Sequence, residues 1–172
     1  KKNTPDNLVY EWFVGQKLNE LGNYFPCLIE TYDLLKYRSR LDYHKAYASK
    51  TIEDLGKMIE KVNYKNNMKT LFTESCQYPS QHCLLIQHIS GAFTLTDVLL
   101  NNKFIDEEEV VMILFQVYFF LHECRNEFTH YDLHTGNVMV YEPFPNKKIK
   151  YTYHLDSPPI TFHSRYIVKI ID

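Results

Sequence analysis

The chain has 172 residues, 45% of them hydrophobic and 23% charged, a balance that suits a globular protein able to bury a real core. Its formal net charge of −2 gives no electrostatic case for nucleic acid or an anionic membrane surface as partner. The 14 Tyr and 11 Phe are scattered among apolar residues rather than interleaved with Lys and Arg, so they make no base-stacking platform.

Thr4-Pro5 opens the chain's first expected helix, with threonine as cap and proline at the first helical position. Leu8, Trp12, Gly15, Leu18 and Leu21 follow at helical spacing, and Gly22 ends the run. Glu11 lies at the edge of that apolar stripe. Cys27 to Leu35 reads as a strand. The polar stretch 36–80, rich in Lys, Tyr and Asn, reads as an insertion with its own helix over 52–65, capped by Thr51 and carrying Leu55, Met58, Ile59 and Val62 on one face. His82 to Ile89 is the second strand candidate.

Ser90-Gly91 breaks that strand, and Thr94 to Leu100 makes a short helix. Asp106 caps the next one, with Glu109 in capping-box position and a glutamate-rich first turn that suits the helix dipole. From Val110 to Leu121 this helix is apolar nearly all round, which predicts a buried central helix. The run is broken by Gln116 and is shorter than the roughly 20 residues that span a bilayer. Residues 142–166, with four prolines, read as an irregular excursion or long hairpin, and Tyr166 to Ile171 as a final strand.

Cys27, Cys76, Cys83 and Cys124 form no C-x-x-C pair and no zinc spacing, which points to free thiols in a reducing compartment. The opening residues lack the apolar core of a signal peptide. A soluble, intracellular protein is expected.

The chemistry is concentrated between Phe128 and Val140. His130, Asp132, His134 and Asn137 fall within eight residues, directly after the apolar helix and before the strand-like Val138 to Tyr141. Gly136 is expected to let the backbone turn there. A loop aspartate, an amide five residues on and a later strand ending in Asp172 suit metal-assisted phosphoryl transfer. One carboxylate would orient the attacking hydroxyl, while an amide oxygen and a second carboxylate suit magnesium's preference for few, hard ligands.

The segment His130-Tyr-Asp-Leu-His-Thr-Gly-Asn137 resembles the H-R-D-L-x-x-x-N catalytic loop of the protein-kinase superfamily, and Val168 to Asp172 resembles the strand that enters its D-F-G motif. Element order resembles that family along nearly the whole chain. Glu11 falls at the place of the αC glutamate, Leu28–Leu35 and Cys83–Ile89 at the fourth and fifth strands, and Val110–Cys124 at the αE helix. Within the superfamily the chain is most similar to haspin-like kinases and divergent relatives in large DNA viruses. His134 stands where most kinases have lysine, and 35 residues separate Asn137 from Asp172.

The resemblance implies an α+β, protein-kinase-like fold: residues 1–89 as a partial N-lobe with the insertion at about 36–80, and 90–172 as the first half of a C-lobe. It implies ATP and Mg2+ as cofactors and a protein serine or threonine substrate. Asp132 would be the catalytic base or orienting carboxylate, with His134 beside it. Asn137 and Asp172 would hold magnesium, and His130 would brace the loop. Glu11 would pair with the ATP-binding lysine, and His88, Ile89 and Ser90 would line the adenine site. The glycine-rich loop and that lysine would precede residue 1, and the rest of the D-F-G motif would follow residue 172. Tyr131 replaces the arginine that receives activation-loop phosphate, so activation by loop phosphorylation is not expected. His134 is also the pattern of aminoglycoside- and choline-kinase-like enzymes, which leaves a small-molecule kinase open beside an inactive pseudokinase or interaction module.

Overall fold

The computed structural model describes residues 8–48, 52–62, 73, 82–101, 105–154 and 158–171. The architecture is α+β, built on small antiparallel sheets. The chain divides into two compact units, Lys1–Glu20 with Glu30–Gln87 and Leu21–Ile29 with His88–Asp172.

In the first unit, helix α1 (Leu8–Asn19) lays Val9 and Trp12 against Leu34 of strand β1 (Thr31–Tyr37), with Val62 and Leu84 packed around them. The helix ends at Asn19, short of Gly22. The Asn19 side chain is taken up by Thr31, donating to its carbonyl (2.6 Å) and accepting from its N–H (3.0 Å), and Gln16 donates to the same carbonyl at 2.7 Å. Close approach needs Gly15, since a Cβ there would lie 2.2 Å from the buried Thr31 Oγ1.

Strand β1 is central, with β2 (Ile59–Lys61) and β3 (His82–Ile86) antiparallel on either side. Tyr37 pairs with Ile59, and Leu35 pairs with Cys83. The helix expected over 52–65 therefore stops early. Helix α3 (Ile52–Met58) gives way to β2, whose residues take the free edge of β1, and the Arg38 N–H closes on the Met58 carbonyl. Helix α2 (Arg40–Ala48) precedes it, capped by Ser39, whose hydroxyl accepts from the Asp42 N–H. Thr51, the expected cap of α3, lies outside the described residues.

The strand expected from Cys27 to Leu35 is two different things. Thr31 onward belongs to β1, but Cys27 and Leu28 run beside strand β8 (Ile167–Ile170) of the second unit. The Ile170 N–H donates to the Cys27 carbonyl (2.7 Å), and buried Lys169 sends its ammonium to the Leu28 carbonyl (2.8 Å). Backbone pairing decides the break, because one peptide cannot serve both sheets. The strand expected from His82 to Ile89 likewise ends at Ile86, after which Gln87 N–H closes on the Glu30 carbonyl.

The second unit has strand β5 (Val138–Tyr141) between β4 (Phe93–Thr94) and β8. Helix α4 (Leu95–Asn101) follows β4 directly, and α5 (Glu107–Glu123) follows α4. Asp106 caps α5 as expected, accepting from the Glu109 N–H at 2.8 Å. Glu109 does not reach back to complete the box. Its buried carboxylate accepts instead from the Ser164 hydroxyl (2.6 Å) and the Arg165 N–H (3.3 Å).

Nor is α5 buried all round. Ile113, Gln116, Val117 and Phe120 face inward, while Val111 and Tyr118 are 60% and 65% exposed. A helix on one side of a sheet buries one stripe, whatever the hydrophobicity of the rest. Within the stretch read as an irregular excursion or long hairpin, β6 (Ile149–Tyr153) pairs antiparallel with β7 (Ile160–Ser164); Tyr153 packs on Phe115 and Phe119 of α5, Phe162 packs on Phe115, and Tyr151 stacks on Phe162.

Gly15→Ala should lower the stability of the first unit. The overpacking cost of about 1–3 kcal/mol outweighs a helix-propensity gain of up to about 1 kcal/mol. A urea midpoint equal to or above that of the parent chain would refute the close-approach role of Gly15.

Candidate functional site

Residues 130–137 lie between the C-terminus of α5 and the start of β5, and their shape is set by a few identifiable bonds. Cys124 ends α5, and the Phe128 N–H folds back onto its carbonyl at 2.8 Å. The Phe128 ring packs on Phe120 (5.5 Å between centroids) and meets the His130 ring edge-on at 6.2 Å. His130 Nε2 lies 3.3 Å from the Ile171 carbonyl, which can only accept, so this nitrogen carries the proton.

The acid and the amide are joined through the backbone. Asn137 is buried, and its Nδ2 donates to the Asp132 carbonyl at 3.1 Å, which fixes the loop's curvature and the amide's orientation. The Asp132 carboxylate itself is exposed. Thr135–Asn137 form one turn of 3₁₀ helix capped by His134, whose Nδ1 accepts from the Gly136 N–H (3.0 Å). Accepting there leaves the neutral ring's proton on Nε2, on an exposed side chain.

Gly136 gives the His134 ring room and is not required by its backbone angle. A Cβ at 136 would meet His134 Cε1 at 2.9 Å and Nδ1 at 3.0 Å, so the exposed imidazole would have to shift from its place over the turn. The left-handed glycine among the described residues is Gly91, with φ 72°, in the turn between Ser90 and β4.

Two further bonds tie the loop to its surroundings. The Ile171 N–H donates to the Asn137 carbonyl (3.0 Å), extending the β5–β8 pairing to the mouth of the loop. On the other side, Thr135 Oγ1 lies 2.7 Å from Thr96 Oγ1, in the first turn of α4. That turn is itself locked. The Asp97 carboxylate accepts from the Thr94 hydroxyl (2.6 Å) and N–H (3.0 Å), and the Asp97 N–H donates back to the Thr94 hydroxyl (3.1 Å). These bonds, the hydroxyl first and the amide second, hold the Asp97 carboxyl below its ordinary range.

The structure thus brings His130, Asp132, His134 and Asn137 into one loop, with Ile171 beside it. Asp172, the next residue, lies outside the described residues. His88, Ile89 and Ser90 precede the Gly91 turn into β4, with His88 and Ser90 exposed and Ile89 half-buried. Glu11 is half-buried on α1 in the first unit. Among the described residues, no three His, Cys, Asp or Glu side chains gather as metal ligands, and the two loop histidines are committed to different partners. The three described cysteines are free thiols, and burial pushes Cys27 up to about 12 and raises Cys83 and Cys124 as well, so none is an activated nucleophile.

Thr96 is the residue that sequence reasoning missed. Its partner is 39 positions away, and a threonine inside a short helix carries no local signal of such a contact.

Comparison with protein-family models, curated proteins and solved structures gives no match to this chain. No helix among the described residues is long and apolar enough to cross a membrane.

The Asp97 bonds predict a pH signature. A folded-state pKa held below the unfolded one contributes stability that is present above the unfolded value and lost as pH falls through the folded value. Asp97→Asn should therefore be less stable than the parent at neutral pH, and the gap should close as the solution is acidified through the carboxylate range. Urea titrations across that range that show a constant gap would contradict the assignment.

Proposed function

We propose that this chain carries the phosphotransfer loop of an ATP- and magnesium-dependent kinase of protein-kinase type, haspin-like in its loop sequence and acting on protein serine or threonine. The observation that carries the proposal is the pairing of β5 with β8, closed by the Ile171 N–H on the Asn137 carbonyl. The strand leading to Asp172 runs alongside Asn137, which supports the reading of a two-ligand magnesium site. The partial N-lobe and C-lobe organisation belongs to the same proposal and is supported by element order and by the antiparallel pairing of β1 with β3.

The donor chemistry fits magnesium. With the Nδ2 of Asn137 given to the Asp132 carbonyl, the amide's hard oxygen would be the ligating atom, and Asp172 would add a carboxylate. When bound, the ion neutralises phosphate charge and holds the nucleotide's phosphates in place. The chain's own residues then have separate tasks. Asp132, exposed on a loop whose curvature its own carbonyl helps to fix, accepts the proton of the attacking hydroxyl. His134 offers an Nε2–H donor where most kinases have a fixed positive charge. His130 braces the loop against the Ile171 carbonyl. By resemblance of sequence alone, Glu11 would pair with the ATP-binding lysine, and His88, Ile89 and Ser90 would meet the adenine.

Calorimetry with ATP, in the presence and absence of magnesium, tests the reading. The parent chain should bind ATP in a magnesium-dependent way, and Asp172→Asn should weaken that binding by about tenfold or more, since losing a ligand costs at least what losing an outer partner of the metal does. Asp132→Asn should bind ATP normally but lose phosphotransfer to serine or threonine peptides by about a hundredfold or more. A folded chain without magnesium-dependent nucleotide binding would sink the proposal.

A further inference from the structure

We infer that Thr96 is a positioning residue for the candidate active site: through the hydroxyl of Thr135 it holds the 3₁₀ turn that presents Asn137, so that helix α4 sets the geometry of the loop. The part of this inference that concerns turnover rests on the phosphotransferase reading, and the part that concerns the loop's conformation does not.

A single 3₁₀ turn of three residues has little stability of its own, because its hydrogen bonds are few and poorly aligned. Gly136 N–H to His134 Nδ1, Asn137 N–H to the His134 carbonyl and Asn137 Nδ2 to the Asp132 carbonyl are bonds local to the loop. Position relative to the rest of the unit therefore comes from outward ties. On the strand side the tie is the Ile171 N–H on the Asn137 carbonyl. On the helix side it is the contact between the Thr96 and Thr135 hydroxyls. In that contact one hydroxyl donates and the other accepts, and a valine at either position can do neither.

Thr96 is well placed to serve as a fixed point. Thr94 pairs with Met139 and Phe93 with Val140, so the residues before α4 are hydrogen-bonded to the strand that leaves the loop. Leu95 is buried, at 2% exposure, and the reciprocal Thr94–Asp97 bonds hold the first turn of the helix. Thr96 sits inside this anchored segment while its hydroxyl reaches across to the turn. Thr96 also lies beside Gly136, since a Cβ there would be in ordinary contact with Thr96 Oγ1 at 4.0 Å. Loss of the hydroxyl should loosen the turn without disturbing the buried strands.

The test is amide hydrogen exchange, read by NMR at Gly136 and Asn137, with Val140 on β5 and Phe120 on α5 as references, in the parent chain and in Thr96→Val, Thr96→Ser and Thr135→Val. Both valine variants should speed exchange at Gly136 and Asn137 by about three- to tenfold and leave the references unchanged, as expected for one lost hydrogen bond. Thr96→Ser, which keeps the hydroxyl, should restore parental rates. The double valine variant should be no worse than either single one. In phosphotransfer assays kcat should fall by a similar factor while KM for ATP stays within about twofold, because the positioned groups act on the reaction more than on adenine binding. Unchanged exchange at the loop amides, equal acceleration at all four amides, or an additive double variant would each overturn the positioning role. A folded parent chain without magnesium-dependent ATP binding would overturn the proposed function, and the exchange rates would then decide the positioning role by themselves.

Discussion

The second unit is organised by the antiparallel ladder between β5 and β8. Its facing pairs Val138 with Ile170 and Val140 with Val168 are all buried, at 5% exposure or less, so each pair removes two apolar side chains from water on the same face. Slipping the register by one residue would turn that face outward, and this is why the ladder is strongly specified. The same register sets what lies at its two ends. At one end the Ile171 N–H meets the Asn137 carbonyl, and at the other the chain leaves for the aromatic hairpin of β6 and β7.

Buried polar side chains complete the edges that the ladder leaves open. Gln116, in the middle of the apolar run of α5, accepts from the Val168 N–H (3.2 Å) and donates to the Tyr166 carbonyl (3.2 Å). Glu109 satisfies Ser164 and the Arg165 N–H just before it, and the Tyr151 hydroxyl donates to the same Tyr166 carbonyl. Lys169 spans to the Leu28 carbonyl. Such bonds are each worth about 0.5–3 kcal/mol net, but leaving one partner buried without the other costs as much again. They therefore act less as added stability than as a constraint on which segment lies beside which. The candidate loop inherits its geometry from this constraint, since both the strand beside it and the strand after it are held on more than one side.

The loop was the most legible part of the sequence. His130, Asp132, His134 and Asn137 are close in the chain, so any turn that joins α5 to β5 must keep them close in space. The Asp106 cap was legible for the same reason, because capping is decided within a short stretch, whereas 142–166 read equally as an irregular excursion or a long hairpin. Errors fell where a local pattern competed with a distant partner. The apolar run of Cys27 to Leu35 reads as one strand until Ile170 and Lys169 claim its first residues. The helical spacing of Leu55, Met58, Ile59 and Val62 continues past Met58, but Ile59–Lys61 gain more by pairing with β1. Glu109 has the spacing of a capping box and is taken by Ser164, 55 residues away.

By itself, then, the sequence determined the mixed α+β composition, the order of most elements and the cluster of acid, amide and histidines that carries the functional reading. These follow from periodicity, capping and spacing, which act over a few residues. Only the tertiary structure decided that Gly136 serves the His134 ring rather than a left-handed backbone, that α5 buries one face of a run apolar nearly all round, and that Thr96 touches the loop. Each of these depends on what the remainder of the chain packs against it. A contact across 39 residues is set by the register of β4, β5 and β8, and no window of sequence contains it.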